Sequence, residues 1–130
     1  MIIAKDAVAE LLSRFEDNAQ NLLLTQDDVA RWTDGAVVAE ERLYDDMAAE
    51  LARGYAERRY SFEFCDGAVN ALYGVVIEGQ LRTPQPPWPP LFNRVFEAFD
   101  AGEYHRHDDK TDDPVAEHTD RMIATVLSEL

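Results

Sequence analysis

All three histidines of the chain, His105, His107 and His118, lie in the stretch EYHRHDDKTDDPVAEHTD, residues 103 to 120, among seven acidic side chains. Imidazole nitrogens and carboxylate oxygens are the donors that hold divalent metals or pass protons, so this stretch is the first candidate for chemistry. His105 and His107 stand two apart, a spacing that shares one side only of an extended chain, and Asp108 and Asp109 follow at once. These four are the candidate metal ligands. One reading of the chain is therefore a metal-dependent hydrolase or metal-binding protein built on residues 105 to 109.

No strong ligand spacing supports that reading. An EF-hand loop starting at Asp108 needs glycine at its sixth position and glutamate at its twelfth, where this chain has Asp113 and Thr119. His107-Asp108 resembles the HD pair of all-helical metal-dependent phosphohydrolases, but the separate upstream histidine of that pattern is missing. There is no HExxH, no ExxH pair of the di-iron kind and no second cysteine for zinc. Part of the stretch also has a structural explanation. Asp113 suits a helix N-cap with Pro114 in the first turn, and Thr119 suits the cap of a last helix.

Nucleophilic chemistry has less support still. Cys65 stands beside Asp66 with no histidine near in sequence, and a negative neighbour disfavours the thiolate. No nucleophile elbow, P-loop or dinucleotide fingerprint occurs. Accordingly no catalytic residue and no cofactor is assigned, and the balance favours a protein that is not an enzyme.

The charge is informative where the motifs are not. The net charge is −14, and it is concentrated in two segments. Residues 16 to 50 carry ten acids against Arg31 and Arg42; residues 97 to 120 carry nine against Arg106 and Lys110. The only basic cluster is Arg53, Arg58 and Arg59. Such a field repels nucleic-acid phosphates and anionic membranes and attracts a basic protein. Glu41, Asp45, Asp46, Glu103, Asp108 and Asp109 are the candidate partner-binding residues.

The elements that must position these groups read as helices. Val8, Leu11, Leu12, Phe15, Ala19, Leu22 and Leu23 recur at three- and four-residue steps, which predicts a helix over about 6 to 24. Thr25 with Asp27 and Asp28 predicts a short second helix to about Trp32. Thr33 or Asp34 is the expected cap of a third, whose stripe passes Val37, Tyr44, Met47, Ala48, Leu51 and Tyr55. Tyr60, Phe62 and Phe64 alternate, which predicts a short extended connector, and Asp66 is the expected cap after it. Ala68 to Ile77 is then the expected central helix, ending at Gly79, with Gly74 marking close approach of another helix.

Residues 82 to 90 hold five of the six prolines and form a stiff connector, with Trp88 as an anchor. Arg82, Pro84 and Pro87 also match the RxPxxP form of an SH3 ligand. Leu91, Phe92, Val95, Phe96 and Phe99 line the next helix, which Gly102 ends. Met122, Ile123, Val126, Leu127 and Leu130 line the last.

The expectation is an all-α, single-domain bundle of five to six helices over residues 1 to 130, without a significant β-sheet. The single cysteine, the absence of a long apolar run and an arginine-to-lysine ratio of ten to two suit a soluble, cytoplasmic protein of a GC-rich bacterium. In function it reads as a small acidic interaction module, of the inhibitor or immunity type, for a basic partner. A self-associating scaffold with Trp88 or Phe62 on its dimer surface is the further alternative. Partner identity and oligomeric state stay open.

Overall fold

Six α-helices and no strand make up the computed structural model, which describes residues 1–130. They are α1 (Ala4–Asp17), α2 (Gln26–Trp32), α3 (Glu40–Ala56), α4 (Phe62–Gly79), α5 (Pro90–Asp100) and α6 (Asp120–Ser128). A 3-10 turn over Val37–Ala39 leads into α3, and a π turn over Val115–Thr119 leads into α6. The all-α expectation and the proline-rich connector hold.

The centre of the bundle is α3 rather than α4. It packs against α1, α4, α5 and α6, and its stripe of Leu43, Met47, Ala48, Leu51 and Ala52 is sealed from solvent. Phe64, Val69 and Leu72 of α4 and Phe92, Val95 and Phe99 of α5 close the same core. Small residues let α3 take so many neighbours. At Gly54 an added Cβ would stand 2.2 Å from the Tyr60 ring, so the turn after α3 can fold back only on glycine.

Several boundaries differ from the sequence expectation, each for a local reason. α1 stops at Asp17, because the Asn18 side chain accepts from the Gln20 N–H and turns the chain. Leu22 and Leu24 then face inward from an irregular segment, and Leu23 faces out. Thr25 does cap α2, in a reciprocal capping box with Asp28. Neither Thr33 nor Asp34 caps α3: the Thr33 hydroxyl donates to the Val29 carbonyl, and Asp34 takes a positive φ in the turn. The aromatic alternation at 60 to 64 is no extended connector. Ser61 accepts from the Phe64 N–H and starts α4 there, which leaves Asp66 inside the helix instead of at its cap. Gly74 meets nothing within 4 Å, so no helix approaches it closely.

The proline strap is tied at both ends. Gln80 donates to the Pro86 carbonyl at 3.1 Å, and the Trp88 indole donates to Asn93 at 3.0 Å while its ring meets Tyr73 edge-on. Arg82 is engaged by the fold, donating to both oxygens of Glu40 and to Gln26. An SH3 domain reading RxPxxP would have to take that arginine out of a part-buried ion pair.

Asp113 accepts from the Ala116 N–H, as its place before Pro114 predicts. Thr119, by contrast, is not a cap. It is helical in φ and ψ and wholly buried, and its hydroxyl donates across to Ala98 of α5 at 2.7 Å. Gly102 allows this contact, since a Cβ there would stand 2.4 Å from the Thr119 hydroxyl and 2.8 Å from the Phe62 ring.

Candidate functional site

The two acidic segments prove to be different kinds of surface. In the first, cations answer the charge. Asp28 holds Arg14 through two parallel hydrogen bonds and also contacts Arg31; Arg14 holds its carboxyl far below the usual range. Glu40 pairs with Arg82, Glu50 with Arg59, Asp46 with Arg42, and Asp34 with the terminal amine. Half of the ten acids between 16 and 50 are thereby neutralised in place.

Between 97 and 120, none of the nine acids pairs with lysine or arginine; Asp112 meets the His105 ring at 3.1 Å. Neutral donors hold the side chains instead. Glu97 accepts from Asn93, Glu103 from Asn70, Asp109 from Thr111, Asp113 from a backbone N–H, and Asp120 from the Tyr55 hydroxyl at 2.6 Å. The two cations of the segment face elsewhere: Arg106 donates to the carbonyls of Ala101 and Tyr104, and Lys110 enters no ion pair. This surface forms where α3 and α5 end and α4 and α6 begin.

Asp112 fixes the loop that carries it. Its carboxylate is buried, accepts from the Arg106 N–H at 2.8 Å and from His105 at 3.1 Å, and is held down at about 2 by those bonds, the backbone donor first. Arg106 also lies over the Tyr104 ring at 4.3 Å. Next to the loop, Asp66 of α4 and Glu103 are brought together by Asn70, whose amide donates to both carboxyl groups. Burial, then Glu103, then Asp100 push Asp66 up to about 8.

The candidate residues distribute accordingly. His105 meets Asp112, but His107, Asp108 and Asp109 are exposed, and no three histidine, cysteine or acidic side chains gather into a group that could hold a metal. The six partner-binding candidates do not form one face. Asp45 accepts from the Phe92 N–H at 2.9 Å and so caps α5 from a neighbouring helix; burial raises its pKa against that bond. Asp46 is paired with Arg42, and Glu41 is half-buried beside the proline strap. Glu103, Asp108 and Asp109 lie beyond the other end of α5, about 16 Å along its eleven residues.

Asp66, Asn70 and Tyr55 belong to the acidic end and were not legible as such, because their partners are 33 to 65 residues away. Cys65 is buried with its thiol against the Leu51 carbonyl, and burial followed by Asp66 pushes it up to about 12. A thiol so placed is no nucleophile near neutral pH. No helix is long and apolar enough to cross a membrane. No protein-family model, curated protein or solved structure matches the chain.

Proposed function

We propose that this protein is a small acidic interaction module, acting in the cytoplasm, that docks a basic protein partner through the α5–α6 end of the bundle. What carries the reading is one observation: the nine acids of residues 97 to 120 have no lysine or arginine partner within the fold, whereas half of those of residues 16 to 50 are answered by a cation. An uncompensated patch of one sign steers an oppositely charged partner and repels phosphate backbones. Glu103, Asp108 and Asp109 are retained as contact residues; Asp45 and Asp46 are released to structural roles. The inhibitor or immunity type of partner fits the size and sign of the surface.

The test is capture of partners on immobilised protein at about 50 mM and about 300 mM salt, since a charge-steered contact weakens as added salt shortens the reach of the charges. The variant E103Q/D108N/D109N removes three charges from the proposed face. E16Q/D17N/D27N removes three from the other acidic segment. A basic protein held at low salt, released at high salt, and lost only with the first variant supports the proposal. Equal loss with both variants, or no salt-sensitive basic partner, overturns it.

A further inference from the structure

A second place in the molecule has the form of a ligand site and lies at the opposite end. Between the first turns of α3, the C-terminal end of α4 and the proline strap is a cavity of about 250 Å³. Val37, Val38, Tyr44, Val76 and the strap prolines make its walls. Its polar floor is the Arg82–Glu40 pair, 2.9 and 3.0 Å, extended by Arg82 to Gln26 at 2.9 Å and by Gln26 to the Val75 carbonyl at 2.7 Å. Glu40 is only 8% exposed. A buried ion pair of this kind adds little to stability by itself, so its presence beneath an apolar cavity calls for another explanation.

Three further observations describe what would fit. The walls are preformed: prolines fix the strap, and Gln80 and Gln85 cross-link it at 3.1 and 3.3 Å, so an occupant would lose little affinity to ordering the protein. The lip is apolar and uncovered, with Val38 95% exposed and neighbouring Leu81 83% exposed. The local charge is negative. Arg82 is cancelled by Glu40, while Glu41 on the cavity wall enters no ion pair.

We propose that this cavity binds a small organic ammonium ion with a one-ring or short-chain apolar body, the body against the valines and prolines and the ammonium toward Glu41. Its volume is below the roughly 300 Å³ at which drug-sized sites begin, which sets the size of the body. An anion would meet an unanswered carboxylate, and a neutral molecule of the same shape would keep only the apolar contact.

The experiment is a two-dimensional ¹H–¹⁵N NMR titration of the full chain with 2-phenylethylammonium, 2-phenylethanol and 3-phenylpropanoate. For the cation, saturable shifts are expected at the amides of Val38, Gln80, Leu81 and Gln85, with a Kd in about the millimolar range for so few atoms. The alcohol binds more weakly and the anion does not bind. Glu41→Gln weakens the cation about fivefold and leaves the alcohol unchanged, the size of effect one partly screened ion contact gives. E103Q/D108N/D109N, at the other end, leaves the titration as it was, so this site stands or falls apart from partner docking. Absence of saturable shifts, equal binding of cation and alcohol, tighter binding of the anion, or shifts confined to residues 97 to 120 overturns the proposal.

Discussion

Thr119→Val separates the hydrogen bond that joins α5 to α6 from the packing around it. α5 ends with the Ala101 N–H on Glu97 and the Gly102 N–H on Phe99, so the Ala98 carbonyl is passed over by the backbone. The Thr119 hydroxyl, wholly buried, supplies the missing donor at 2.7 Å. Valine keeps the branched shape against Gly102 and leaves that carbonyl buried without a partner, which costs about 1–3 kcal/mol. Unfolding entropy of about 2.1 cal/mol/K per residue gives roughly 270 cal/mol/K for this length, so the melting temperature should fall by roughly 4–11 °C. Helical ellipticity followed through a thermal melt measures it. Thr119→Ser keeps the donor and removes one buried methyl, about 0.5–1.5 kcal/mol, and should fall less. A valine variant as stable as the parent, or a serine variant less stable than valine, would show that shape rather than the hydrogen bond holds this junction.

Three other outcomes follow from the same structure. Asp28 is depressed by Arg14, so its contribution is present above the ordinary carboxylate range and lost as pH falls through and below it; Asp28→Asn should lower stability near pH 7 by about 1–2 kcal/mol and flatten the acid limb of melting temperature against pH. Asp66 is raised, so between its ordinary value and about 8 the folded state holds a proton that the unfolded chain has released, and stability falls as pH rises across that window. Asp66→Asn should therefore raise the melting temperature most at the alkaline end and little below pH 4; a uniform change at all pH values would contradict the shared proton. Cys65 should resist a thiol-specific chromogenic reagent in the native state and react fully in denaturant, and rapid native labelling would show that the thiol is not enclosed.

The six helices were legible in apolar residues that recur on one face, although that recurrence runs on past Asp17, where α1 stops, and two caps were legible where donor and acceptor are three residues apart. Thr25 with Asp28 and Asp113 with Ala116 are of that kind. What sequence could not supply were groups capped or paired from another helix. Asp45 looks like any solvated acid on α3, yet it caps α5, whose own N-cap position is Pro89 and offers no side-chain acceptor. Thr119 has the residue type of a cap and serves as a remote donor to a carbonyl 21 positions earlier. The alternation of Tyr60, Phe62 and Phe64 has the period of a strand, but Ser61 caps a helix inside it. The aromatics face different neighbours, Tyr60 meeting Phe64 and Phe62 meeting Phe99. For the acidic surface, the sequence located both charged segments; which of them the arginines answer depends on partners up to 42 residues away.

The manner in which the second segment is held bears on how it would bind. A carboxylate oriented by arginine is ordered and discharged together, as Asp28 is by Arg14. One oriented by an amide, a hydroxyl or a backbone N–H is ordered while its charge stays available, and Glu97, Glu103, Asp109, Asp113 and Asp120 are all of this second kind. Binding a cation at such a surface requires no internal ion pair to be broken and little side-chain entropy to be lost, the two costs that usually make surface charges weak contributors. The mutual repulsion that this arrangement leaves in the free protein is relieved by an incoming cation. At Asp66 and Glu103 it is relieved by a proton instead. A lysine or arginine docking there competes with that proton, so binding should tighten as pH rises from about 6 toward 8 and should lose this dependence in Asp66→Asn. Affinity that falls over the same range would place the partner's contact elsewhere.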